Sequence, residues 1–571
     1  MSLLAVLIIC AAILVAAYAT YGRLLSRLLR LDDSRVTPAV ELRDDMDYQP
    51  IEPKFLMGQH FSAIAAAGPI VGPIAAGLMF GWLPALLWIM VGSIFIGGVH
   101  DFTTLVASVR HKARSIAEIV REHMSARSYL LFLLFVYIAL IYIIVAFTDI
   151  VAASFVGTRV LDDGGTVSGG GIATSSLLYL ALPLIMGCLL RFTRLSLVWA
   201  TVIFLPLVIG AIAMGQKYPL DLAVMLGVEP HAAARLWGVL LLVYCFMASL
   251  APMWLLLQPR GHLGGFFLYA ALLAGGIGAL IGGKSIEYPA FIGWTSSAGD
   301  PLAPMLFITI ACGACSGFHC MIASGTTSKQ LRRESDARPI GYGTMLLEGM
   351  VAVIALSCVM ILAPDQAQGK QPGLIYAEGL GRFIEIIGVP LAAGICFGLL
   401  AFTTFVYDTL DVCTRLGRFI FQELTGWRGA AGRVVGTALT AVIPMAFLFN
   451  TPVDEHGVAQ PAWRVYWNVF GASNQLLAAL ALICAMVWLW RTYRAVWVWL
   501  VMALPAAFMY VMSIWALLRF VPAGFVDSKS GDFIVTTNPV PWVALILVGL
   551  AAVLLIEAIM VLWPPRRPAA P

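Results

Sequence analysis

Four ionisable side chains lie in stretches too apolar for an ordinary surface: His60 in "GQHFSAIAAAG", His100 and Asp101 in "GGVHDF", and Glu348 in "TMLLEGMVAVIAL". A carboxyl group desolvated by such neighbours holds its proton more tightly, so an acid beside an imidazole can accept and pass on a proton. At roughly 1.5 Å per residue, His100 and Asp101 fall two to three turns before Arg110. His60 opens the preceding apolar run and reaches a similar depth on an antiparallel neighbour, so a His60–Asp101 pair is expected. Its structural counterpart is a buried acid and base that satisfy each other and hold two helices in register. A second set, Thr403, Thr404, Tyr407, Asp408 and Asp411, offers the oxygen ligands that suit a hard cation such as sodium. Asp408 and Asp411 can equally pair with Arg415 one turn on. Asp149 is a further acid in an apolar run. Asn474 and Gln475 in "FGASNQLLAAL" read as hydrogen-bonding partners of neighbouring helices. His60, His100, His319 and Cys320 have no spacing that fixes a coordination site, so no metal is assigned to them.

The elements that carry these groups are interrupted twice. "AAAGPIVGPIAAG" (65–77) contains Gly68, Pro69, Gly72 and Pro73, and proline removes a backbone donor while straining the turn before it. "ITIACGACSGFHCMIASGTTSK" (308–329) contains Gly313, Ser316, Gly317, Ser324 and Gly325. Each is explained by a kink or by close helix packing. Together they suggest more, because irregular backbone at membrane depth is tolerated only where protein encloses it. The first break is expected to start a new half-helix after Gly72, whose free N–H groups and positive dipole face a ligand. Gly68, Pro69, Gly72 and Pro73 then form one wall of a binding site, and Ser316, Gly317 and His319 the other. No Arg or Lys lies near the centre of any expected span, so an anion there is to be held by backbone, hydroxyl or histidine donors.

Composition places these segments in a bilayer. Of 571 residues 61% are hydrophobic and 12% charged, with a mean hydropathy of +0.91. The fold class is an all-α polytopic membrane protein with about fifteen apolar runs long enough to span. The first run, which has no basic residues before it, reads as a retained helix rather than a cleaved signal. Most of the 35 Lys and Arg residues, Arg260 among them, fall in alternate loops, which predicts an outer N-terminus and a cytoplasmic C-terminus. The glycine-rich 162–171 reads as an outer loop. The ten cysteines have no paired spacing and read as small buried hydrophobes. A net charge of +4 concentrated in short loops points to the lipid bilayer as partner and not to nucleic acid. No phosphate loop, Gly-x-Ser-x-Gly elbow or HExxH motif is present, so neither an enzyme nor ATP-driven transport is expected. The two interrupted spans run in opposite directions, matching the inverted-repeat plan of secondary transporters. A channel or a membrane receptor is the rival reading.

"GQHFSAIAAAGPIVGPIAAG", "FITIACGACSGFHCMIASGTTSK", "DTLDVCTRLGRFIFQEL" and "FGASNQLLAAL" resemble the carbon-starvation protein A family of bacterial inner-membrane transporters, and the resemblance covers most of the chain. It implies uptake of peptides or of a small carboxylate such as pyruvate in a carbon-starvation response, with no cofactor beyond a coupling ion. It also implies a LeuT-like fold with two discontinuous helices. The division is then 1–59 (peripheral helix and loop), 60–215 (first repeat), 216–300 (peripheral), 301–490 (second repeat) and 491–571 (peripheral). A seven-plus-seven inverted repeat fits the same arithmetic. Proton coupling through Asp101 with His60 or Glu348 is the expectation. Sodium coupling through Thr403, Thr404 and Asp408 is the alternative.

Overall fold

Inside a bilayer a backbone finds only its own donors and acceptors, so the Leu-, Ile-, Val- and Phe-rich runs coil into helices. The computed structural model describes all residues except 1, 45–47, 66, 161–165, 253, 368, 428, 450–460, 526–532, 534–537 and 564–571. In chain order the main helices begin with α1 (Leu3–Leu28), the pair α2 (Pro53–Ile64) and α3 (Gly68–Phe80), α4 (Trp82–Arg110), the short α5 (Ile116–His123) and α6 (Ala126–Ser154). Next come α7 (Gly169–Phe192), α8 (Leu197–Lys217), α9 (Pro230–Leu250) and α10 (Leu257–Gly282). Three short pieces follow, α11 (Leu302–Thr309), α12 (Ala311–Ala314) and α13 (Phe318–Gly325). The last are α14 (Glu334–Met360), α15 (Pro372–Glu385), α16 (Leu391–Thr425), α17 (Ala430–Phe449), α18 (Ala462–Tyr493), α19 (Trp499–Phe520) and α20 (Pro539–Leu562). Ser115, Ser125, Ser168 and Ser196 cap the starts of α5, α6, α7 and α8 with their hydroxyls. Gly283 and Gly426 close α10 and α16 in the left-handed conformation.

Among the described residues thirteen helices are long and apolar enough to cross a membrane, or fourteen when α2 and α3, bent by 47°, count as one. The chain is thus a multi-pass membrane protein. The fifteenth expected span, near 301–328, is the broken segment α11–α13, with Cys315 extended between α12 and α13. One helix is additional. α15 packs on α14 and α16, but it has 14 residues, Glu378, Arg382 and Glu385 among them, and is too short and too charged to read as a span. Of the loop expected at 162–171, residues 162–165 lie outside the described residues. Thr166–Ser168 pairs antiparallel with Thr158–Val160, and Gly169 already begins α7.

The bundle has two ends. At one, Arg110 at the close of α4 donates to Glu334 Oε1 (2.6 Å), the Tyr493 hydroxyl (2.9 Å) and the Leu29 carbonyl (2.8 Å), gathering the ends of α1, α4 and α18 with the start of α14. The Asp32 N–H reaches the other Glu334 oxygen at 2.7 Å. At the opposite end Glu287 N–H bonds the Met360 carbonyl at 2.8 Å, and Asp149 accepts from the Trp463 N–H at 2.9 Å. The first end is the one on which the loop arginines gather. Among these spans α18 is embedded most deeply, its most apolar stretch 100% buried against 22% for α8. α18 packs against α19, α6, α20 and α4 and against the broken segments α11, α12 and α13.

Candidate functional site

The two breaks face each other, and their glycines serve that contact. Proline in the first turn of a helix forfeits no hydrogen bond, so Pro69 opens α3 at Gly68, a turn earlier than expected, and Pro73 lies within it. A Cβ on Gly68 would meet Cys312 Sγ at 2.3 Å, and one on Gly72 the Thr309 carbonyl oxygen at 2.4 Å. Pro73 flanks Gly313 from the same side. The expectation that Gly72 admits a ligand to the backbone is therefore corrected: the space is taken by α11. Gly72→Val is expected to destabilise the fold by overpacking, about 1–3 kcal/mol, visible as a lower melting temperature in detergent. An unchanged melt would count against this contact.

The second break is closed by α18. Gly317 N–H donates to the Asn474 carbonyl at 3.1 Å, and Phe318 N–H to Asn474 Oδ1 at 2.9 Å. Asn474 Nδ2 donates to Ser316 Oγ at 3.0 Å. Asn474 thus caps the α13 half-helix, and Ser316 and Gly317, expected to line a ligand, bind α18 instead. Gln475 donates to Met509 Sδ at 3.3 Å.

A buried polar chain runs between α4, α13 and α14. His100 Nδ1 lies 2.7 Å from Asp101 Oδ1, His319 Nδ1 lies 2.8 Å from Asp101 Oδ2, and His319 Nε2 lies 3.3 Å from Glu348 Oε2. All four side chains are fully buried. The expected His60–Asp101 hydrogen bond is not formed, because α13 packs on α4 and brings His319 to the carboxylate. His60 Nδ1 meets the Thr327 hydroxyl at 2.9 Å. His60 Nε2, His100 Nε2, His319 Nε2 and both Glu348 oxygens have no hydrogen-bond partner among the described residues. With Nδ1 donating to Asp101, His319 turns a lone pair at Nε2 toward Glu348, and one proton fits between those two atoms. Above this chain α4 carries a π-turn at Ser93–Gly97, where a Cβ on Gly97 would meet the Ala314 carbonyl at 2.4 Å.

A second cluster was hidden from the sequence. α10 begins at Leu257, so Arg260, expected in an inner loop, lies inside the helix and is fully buried. Its guanidinium bonds Asp408 and Asp411 of α16 and donates to the Tyr244 hydroxyl at 2.5 Å. Ser62 of α2 donates to Asp408. Arg415, the expected partner of these acids, donates to the Ala248 and Ala251 carbonyls at 2.9 and 2.8 Å. The set expected to hold sodium is consequently divided. Asp408 faces a fixed cation, Thr403 sits 3.3 Å from Ser176 of α7 and donates to the Leu400 carbonyl at 3.0 Å, and the Thr404 hydroxyl is buried without a partner among the described residues.

Small cavities approach from both ends. One of about 20 Å³, enough for a water molecule, lies between Val71, Ser154, Arg159, Gln371, Phe402 and Trp463. Another of about 20 Å³ touches His60, Gly261, Thr327 and Asp408. A wider one of about 250 Å³ opens on the arginine-rich end between Arg114, Glu118, Lys329 and Glu423.

Residues 2–369 and 365–516 match the model of the carbon starvation protein CstA family. The peptide transporter CstA of Campylobacter jejuni is 30% identical over 568 residues, covering 87% of this chain and 77% of that one. The pyruvate/proton symporter BtsT of Escherichia coli is 30% identical over 596 residues, covering 88% and 79%. Among solved structures, a manganese transporter of Eremococcus coleocola aligns over 91% of this chain and 98% of that one at 14% identity, with a TM-score of 0.45.

Proposed function

The chain belongs to the carbon starvation protein CstA family, and from that premise we propose a proton-coupled secondary transporter of the bacterial inner membrane that imports a small organic carboxylate such as pyruvate. The observation that carries the reading is the Asp101–His319–Glu348 chain. With one proton between His319 and Glu348 the chain bears a net charge of −1, and without it −2. An anionic substrate is repelled less by the first state than by the second, so substrate and proton travel together. His60 supplies a donor for the carboxylate: when the Thr327 hydroxyl donates to Nδ1, the proton sits on the unpartnered Nε2. Arg260 argues against sodium, since a guanidinium already compensates Asp408.

The orientation in this reading, N-terminus outside and C-terminus cytoplasmic, rests on the loop arginines. Its two inverted repeats are 301–490 and a first repeat interrupted by a hairpin. Packing favours α2–α6 with α9 and α10 over 60–215 as that first repeat. α9 packs on α17, α6 on α16, and α10 on α2 as α18 on α12 and α13, whereas α7 packs chiefly on the lipid-facing α8.

A peptide is the second reading, because Glu348, which His319 Nε2 approaches at 3.3 Å and which has no hydrogen-bond partner among the described residues, suits an α-amine. Counterflow in proteoliposomes decides between them. Labelled pyruvate is expected to enter vesicles preloaded with pyruvate, with dialanine neither competing nor exchanging. Dialanine exchange without pyruvate exchange would reverse the assignment.

A further inference from the structure

We propose that His111, Glu122 and His123 form a binding site for a divalent transition metal, zinc in particular, at the arginine-rich end of the protein. His111 follows the last turn of α4, and the other two end α5. Their ligand atoms all lie within 4.8 Å of one another, and no other group of three or more such side chains meets that distance among the described residues. The two imidazoles meet edge to face, with Nε2 to Nε2 at 2.9 Å. Tetrahedral zinc with nitrogen bonds of about 2.0–2.1 Å separates two such ligands by roughly 3.3 Å, so a ring shift of a few tenths of an ångström admits the ion.

The second observation is the orientation of His111. Its Nδ1 lies 2.6 Å from the Ala107 carbonyl. That bond places the proton on Nδ1 and leaves the Nε2 lone pair facing His123. Ring nitrogens that bind metals are typically held in this way, the other nitrogen donating to a carbonyl or carboxylate. Trp488 closes the site with a T-shaped contact to His111 at 5.5 Å. Two cations oppose the ion: Arg114 Nη1 lies 3.8 Å from Glu122, and Arg491 acts on His123. Two imidazoles and one carboxylate leave the fourth position to water, and the imidazoles select zinc or cobalt over magnesium and calcium. Occupancy would pin α5 to the end of α4, the helix that carries His100 and Asp101.

The test uses untagged full-length protein in detergent, titrated with zinc against a chromophoric indicator and, separately, with cobalt. One zinc per chain is expected, with micromolar affinity, a tetrahedral cobalt absorption band and a higher melting temperature. His111→Gln and His123→Gln should each weaken binding at least tenfold and abolish the thermal shift, while Glu122→Gln weakens it less. Magnesium in millimolar excess should not displace the ion. Equal affinity in wild type and both histidine variants would place the zinc elsewhere and overturn the site. Absence of saturable binding, with no cobalt band, would reduce the pair to a ring-to-ring hydrogen bond.

Discussion

In proteoliposomes, Glu348→Gln is expected to exchange substrate across the membrane but not to accumulate it. Gln keeps the shape of Glu348 and its contact with His319, yet cannot give up a proton, so the chain stays at −1 throughout the cycle. Substrate then binds and crosses, and counterflow survives. What disappears is the penalty that ties substrate release to proton release. Between an anion and one added charge about 8 Å away, that penalty is about 2 kcal/mol at an effective dielectric constant near 20, or roughly 30-fold in affinity. With one proton per substrate, a gradient of two pH units sustains up to about 100-fold accumulation. The variant should fall to equilibrium across the same gradient. Accumulation at the wild-type level would remove Glu348 from coupling.

Arg260→Leu is expected to produce the largest loss of stability. The substitution strands Asp408 and Asp411 beside each other in a buried site, and breaking such a pair from one side costs about 3–5 kcal/mol. The triple variant R260L/D408N/D411N, which leaves no uncompensated charge, should recover most of the loss. Thermal unfolding in detergent reads both. If the single variant melts like wild type, the cluster contributes nothing to the fold. If the triple variant melts like the single one, Arg260 acts through packing instead. In wild type a sodium gradient at constant pH should drive no uptake.

The spans were legible because apolar runs and alternating basic loops follow directly from the bilayer. Fourteen expected spans are present as helices or as the α2–α3 pair. The breaks were legible too, less from Pro69 or Gly317 alone, which a kink or close packing explains, than from the occurrence of two such segments in one chain. Partners were not. Asp101 stands at the expected depth, but whether His60 or His319 reaches it depends on how α13 packs on α4, which no local pattern encodes. Arg260 was misread for a clear reason: "QPRG" reads as a loop, and only the early start of α10 puts the guanidinium inside. A signal was available in Asp408 and Asp411, two acids at i and i+3 in an apolar helix, which called for a buried cation. Gly72 carried two readings, and the carbonyl of Thr309 decided between them.

Asn474 has a mechanical consequence. Three hydrogen bonds at one residue fasten the start of α13 to α18, so these two pieces form a single rigid arm. The half-helix α2 is held differently, with its Ile64 carbonyl accepting from His319. Its side chains add Ser62 to Asp408 and His60 to Thr327, so these polar contacts all end on charged or titratable groups or on a hydroxyl. Of the two broken spans, one is therefore an anchored fulcrum and the other a latch. When the arginine-rich end opens, the motion is expected to begin at α2, and its ease should follow the ionisation of His60 more than the strength of any apolar contact.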